Sequence, residues 1–92
     1  MIVRVLGMGQ YKLGDEDMNE VNAADDRVEV AFAAGDEPAM QEALADLAAL
    51  IARVGDEVPV DEFLPSDVVV PGPDTTLDEA AALLEGVGVI PG

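Results

Sequence analysis

Between Met18 and Val54, apolar side chains recur at helical spacing in two runs, and a Gly35-Asp36 pair stands between them. In the first run Met18, Val21, Ala24, Val28, Ala31 and Phe32 fall on one side of a helix that opens near Asp15 and ends near Gly35, with a largely acidic opposite face. In the second, Asp36 is a good N-cap and Pro38 is tolerated in the first turn. Met40, Leu44, Leu47, Ile51 and Val54 then repeat in steps of four and three. Arg53 belongs in the last turn, where the helix dipole favours a cation, and Gly55 is placed to end the helix. So short a connection predicts an antiparallel αα-hairpin.

The flanking segments read differently. Ile2, Val3, Val5 and Leu6 are strand formers, and Gly7-Met8-Gly9 precedes a second short apolar stretch with Tyr11 and Leu13, which predicts a β-hairpin. The glycines are not a phosphate loop, because no Gly-Lys-Ser/Thr follows and no helix opens there. Pro59, Pro65, Pro71 and Pro73 exclude continuous helix over 56–73, whereas Val68, Val69 and Val70 suit a short strand set against the amino-terminal hairpin. Thr76 and Glu79 form a capping box for a short helix through Leu77, Ala80, Ala81 and Leu84, closed by Gly86, and Val87 to Gly92 is an apolar tail. The expected fold is one α+β domain over residues 1–92. It contains an N-terminal β-hairpin, an antiparallel αα-hairpin, a short third strand and a short C-terminal helix. At 92 residues one modest core is affordable.

Composition limits the chemistry. The chain has neither Cys nor His, so disulfides, thiolate nucleophiles, zinc-thiolate sites and the usual proton shuttle are absent together. A formal charge of −16, from 20 acidic and 4 basic residues, opposes direct binding to nucleic acid or to an anionic bilayer. Spread from Asp15 to Glu85 in an Ala- and Val-rich chain, the acids suit a salt-rich cytoplasm, as in proteins of halophilic archaea. At molar salt the Debye length is about 3 Å, so partners there must be recognised by close packing. Met1 to Leu6 lacks a signal-peptide pattern, and the longest strongly apolar run, Leu47 to Ala52, is far too short to span a bilayer. The expectation is a soluble, cytoplasmic protein with no direct membrane insertion.

Each candidate site also has a plainer structural role. Asp15, Asp17, Asn19 and Asp26 have the spacing of calcium-loop ligands, but Glu20 replaces the required glycine, and acids at a helix start explain the cluster. Carboxylate pairs arise without function among so many acids, and no sugar-stacking aromatic cluster accompanies them. Ser66, the lone serine, has no histidine, and a pairing with Lys12 is less expected than turn chemistry after Pro65. No catalytic residue, metal site or cofactor is predicted, and the chain is not read as an enzyme. The Met40 to Val54 stripe is too short for a convincing coiled coil and is expected to face the first helix. Val89-Ile90 and the residues Phe63, Leu64 and Val68 to Val70 are the remaining apolar candidates for an external contact.

The opening Met1-Ile2-Val3-Arg4-Val5-Leu6-Gly7, then Gly9-Gln10-Tyr11, Leu64-Pro65-Ser66-Asp67, the run Pro71 to Glu79 and the closing Ile90-Pro91-Gly92 together carry a resemblance. The chain resembles the phage-shock protein A-associated (PspAA) domain family. What this implies is a partner of phage-shock protein A, the membrane-remodelling coiled-coil protein of the envelope-stress response, and a membrane-peripheral location reached through that partner. The expected partner-binding residues are Tyr11, Phe63, Leu64, Val68, Val69 and Val70. Two other classes stay open: a divalent-cation binder using Asp15, Asp17, Asn19 and Asp26, and an acidic nucleic-acid mimic that binds a basic protein.

Overall fold

A computed structural model describes residues 1–59, 61, 62 and 64–82. Leu84, Gly86, Phe63 and the apolar tail, including Val89-Ile90, lie outside the described residues. Strand β1 (Ile2–Val5) turns back into β2 (Gly9–Lys12), with Val5 opposite Gly9 and Ile2 opposite Lys12. The turn needs left-handed backbone, and Gly7 at φ 88° and Gly9 at φ 127° provide it without a Cβ clash. A 3-10 turn over Asp15–Asp17 then leads into helix α1 (Met18–Ala33).

The connection to helix α2 (Glu37–Val54) turns on Gly35 and Asp36. Gly35 adopts φ 70° and donates its amide to the Phe32 carbonyl, while the Asp36 amide reaches the Ala31 carbonyl, both at 3.0 Å. These two bonds close α1 in a Schellman arrangement. In the same stroke the Asp36 carboxylate accepts from the Ala39 amide at 3.1 Å and starts α2. The αα-hairpin is thus fixed by two residues.

Beyond α2 the chain makes a two-residue strand, β3 (Asp56–Glu57), against β2, and later β4 (Val68–Val70) runs parallel to β1. The sheet order is β3-β2-β1-β4. Expectation and structure agree on the α+β class, the amino-terminal hairpin, the paired helices and the strand over the three valines. The Asp56–Glu57 strand has no sequence signal, since two acids carry no apolar alternation. The final helix starts where the Thr76 hydroxyl accepts from the Glu79 amide and the Glu79 carboxylate from the Thr76 amide, and it is helical over 77–82.

The helices lie on one face of the sheet. Met40, Leu44, Leu47 and Ile51 of α2, all 2% exposed or less, meet Val3 and Val5 of β1 in the same core, with Val21, Ala24 and Ala31 supplied by α1. Burying a side chain of that size stabilises by about 1.5–3 kcal/mol, so these positions dominate the fold. Gly55 ends α2 as its position in the sequence suggests, with an ordinary extended φ of −87°. Space is what it provides: a Cβ there would sit 2.7 Å from the Ile51 carbonyl oxygen and 3.0 Å from Leu13 Cδ2.

Candidate partner-binding surface

Strand β4 ends the sheet, so its outer edge has no strand partner among the described residues. The parallel register pairs Val68 with Val3, Val69 with Arg4 and Val70 with Val5. Because the Val70 carbonyl accepts from the Leu6 amide at 3.0 Å, strand alternation turns the amide and carbonyl of Val69 toward the open edge. Side chains alternate likewise. Val68 and Val70 face the helices and Val69 the opposite side.

Of the six residues expected to meet a partner, the structure brings the three valines together and separates the rest by depth. Val68 and Val69 are exposed at 42% and 47%, whereas Val70 and Tyr11 lie in the core at 6% and 7%. Leu64 is half-buried, and Phe63 lies outside the described residues. Tyr11 stands opposite Val3 in the hairpin, and this register carries its ring to the helix side of the sheet. An aromatic in so aliphatic a chain supplies core area first.

Beside the β4 edge runs an apolar groove of about 180 Å³, with Val28 and Phe32 of α1 on one wall, Val68 on the other, and Met40 and Leu44 among its floor residues. It is smaller than a typical small-molecule cleft and better suited to individual side chains of a macromolecular partner. Asp25 and Glu29 stand beside it on α1. Partial burial, followed by the neighbouring charges of Glu29 and Asp26, raises the Asp25 carboxyl above its ordinary value.

Sequence reasoning missed the residues that hold this edge in place. Gln10, a buried polar side chain on β2, donates from Nε2 to the Leu64 carbonyl at 2.7 Å and to Ser66 Oγ at 2.8 Å. Asp67 forms a reciprocal pair with Ile2: its amide donates to the Ile2 carbonyl, and its carboxylate accepts from the Ile2 amide, both at 2.8 Å. Thr75 folds onto the Gly72 carbonyl through its hydroxyl at 2.6 Å, while its own carbonyl accepts from Gln41 of α2. Glu37 of α2 accepts from the Leu77 amide at 2.8 Å. The Gly9-Gln10-Tyr11, Leu64 to Asp67 and Pro71 to Glu79 segments are therefore joints of one assembly. Ser66 is occupied as a hydrogen-bond acceptor within it, 56 residues from its partner Gln10.

The calcium-loop reading finds no matching geometry. Asp15 and Asp17 belong to the 3-10 turn, whereas Asn19 and Asp26 are part of α1, with Asp26 roughly 12 Å along the helix from its start. Among the described residues no group of three or more Asp or Glu side chains is arranged to hold a metal ion.

No curated protein and no solved structure matches this chain. The family described as PspA-Associated protein, PspAA, matches over residues 1–92. Since that match spans the entire sequence, the chain belongs to the PspAA family.

Proposed function

We propose that this protein is a non-enzymatic adaptor or regulator that binds a PspA-like, membrane-remodelling coiled-coil protein in the envelope-stress response. The family match over residues 1–92 carries this reading, because the family takes its name from association with PspA. The contact surface is the open edge of β4, with Val68 and Val69 exposed on it and the Val28–Phe32 groove beside it. Val70 lies beneath that surface in the groove lining, whereas Tyr11 stands two strands away on β2 and Leu64 at the Gln10 joint. Because a coiled-coil helix has its backbone bonds closed internally, it contributes side chains rather than a strand, packing them against the exposed Val68–Val69 edge and into the groove.

Membrane action passes through the partner in this scheme. Among the described residues no helix is long and apolar enough to cross a bilayer, and a −16 chain is repelled by anionic lipid. The acidic surface is, on this reading, an adaptation to a salt-rich cytoplasm.

The test is a pull-down from a lysate of the source organism at roughly molar salt, with the retained proteins identified by mass. A PspA-like coiled coil should be retained, and Val69→Asp should weaken its binding by about 1–2 kcal/mol while leaving the circular dichroism spectrum unchanged. A folded bait that retains no such protein removes the assignment. Capture of a basic DNA-binding protein, with affinity collapsing as salt rises, would replace it with the nucleic-acid-mimic reading.

A further inference from the structure

The helix hairpin has a second long groove, lined by α1 and α2 alone, and two of the chain's four cationic side chains stand along it. At one level Arg53 Nη2 lies 3.8 Å from Glu20 Oε2, both side chains being largely exposed. Two helical turns away on each helix are Arg27 of α1 and Asp46 of α2, seven residues from Glu20 and from Arg53. Because the helices are antiparallel, Arg27 and Asp46 share a level as Glu20 and Arg53 do. Arg27 makes no ion pair among the described residues.

We propose that a second copy of this chain docks on this face, its α2 against α1 and its α1 against α2, forming an all-antiparallel four-helix bundle. The two-fold axis runs along the groove. Arg27 then meets Asp46 of the second copy, Glu20 meets Arg53 of the second copy, and the symmetry repeats both encounters. An axis across the helices instead sets α1 on α1. At the level of Arg27 it brings like charges together. Midway between the two levels it brings Arg27 onto Glu20 and Asp46 onto Arg53 but leaves exposed Val30 against the acidic turn near Asp17 of the second copy, so charge and packing together favour the axis along the groove.

Charge also selects this occupant over other faces of the same molecule. Two chains of −16 repel wherever carboxylate meets carboxylate, so a self-contact requires a surface where each sign opposes the other. Arg4 and Lys12, the remaining cations, stand on the sheet face that residues 64–66 already cover at Gln10. Packing agrees with the charge. Val30, 70% exposed on α1, is level with Ala43 of α2 across the groove, so the two-fold axis sets it against Ala43 of the second copy as a knob against a small residue.

Sedimentation equilibrium of the full chain in roughly molar potassium chloride tests this, because long-range repulsion is screened there while pairs in direct contact lie within the Debye length of about 3 Å. The expected mass is twice the 9.5 kDa of one chain. Arg27→Glu and Asp46→Arg should each raise the dimer dissociation constant at least about tenfold. Combined, the two substitutions should restore dimerisation, with circular dichroism confirming helix content in all three variants. A monomer at every concentration overturns the proposal. So does a dimer indifferent to both single variants, or a double variant that fails to recover.

Discussion

The helix hairpin and the segment from Asp56 to Thr76 are held by opposite means. Across α1 and α2 the order comes from apolar side chains on one face, with Met40 and Ile51 fully excluded from water and Leu44 nearly so. Among the described residues of the later segment few apolar groups are buried, Val58 and Val70 chief among them, and position is set by polar side chains reaching from elsewhere: Gln10 and Gln41 bond within it, and Glu37 takes the Leu77 amide just beyond it. Burial is non-directional and tolerant of small shifts, whereas a hydrogen bond specifies distance and angle. The hairpin therefore makes the fold stable, and the polar joints decide where the β4 edge lies.

That contrast predicts two different failures. Leu44→Ala should cost about 2–5 kcal/mol and lower the unfolding midpoint of the whole domain, because the cavity opens in the shared core. Denaturant melts of helix signal would show it, and a loss below about 1 kcal/mol would mean that α2 is not the main source of stability. Gln10→Ala should cost less, about 1–3 kcal/mol, by leaving the Leu64 carbonyl without its donor. Its signature is local: faster hydrogen exchange at the Asp67 and Ile2 amides, with the interior of α2 still protected. Uniform loss of protection would erase the distinction between the two regions.

The same contrast explains what was legible in the sequence. Period, cap and breaker residues mark α1, α2, the Gly35-Asp36 junction and the amino-terminal hairpin, because each depends on neighbours within a few positions. The strand at Val68–Val70 was legible as a strand, but its parallel register on β1 depends on Ile2 and Asp67, 65 residues apart. Gln10 looks like a neutral polar residue on a strand, and nothing local marks it as a clamp. Gly55 illustrates the reverse case, a glycine legible as a stop whose structural reason is the closeness of Leu13 and the Ile51 carbonyl. At the candidate site, hydrophobicity identified the valines but not their depth. Only the edge position of β4 leaves Val68 and Val69 exposed while Val70 is buried.

Asp36 is a polar joint inside the apolar region and measures how far the two regimes mix. Asp36→Ala removes the acceptor for the Ala39 amide and should cost about 1 kcal/mol. The amide-to-carbonyl bonds of Gly35 and Asp36 remain, so the hairpin should keep its connection while α2 frays at its first turn. Amide exchange at Ala39 and Met40 would report the fraying. An effect as large as that of Leu44→Ala would show that the junction, rather than the core, carries the hairpin.

The smallest effect is expected at Asp25, where charge rather than packing or hydrogen bonding is tested. Its carboxyl is raised above the ordinary value of about 3.8, by partial burial first and then by Glu29 and Asp26. A raised folded value means that the native state holds this proton more tightly than the unfolded chain does. The charged form therefore costs stability, fully so above the folded value, and the cost is relieved as pH falls through that value toward the ordinary one. Asp25→Asn removes the charge and should stabilise the protein near neutral pH by no more than about 0.5 kcal/mol, since the residue is exposed enough for solvent to screen it. The gain should shrink as pH falls toward about 3.8, and it should also shrink in molar salt to the extent that Glu29 and Asp26 contribute to it. Thermal melts of the two proteins across that pH range, compared as a difference, isolate this carboxyl from the other acids. A difference that instead grows on acidification would mean that Asp25 is stabilised as an anion, and the wall of the groove beside β4 would then be more polar than its apolar lining implies.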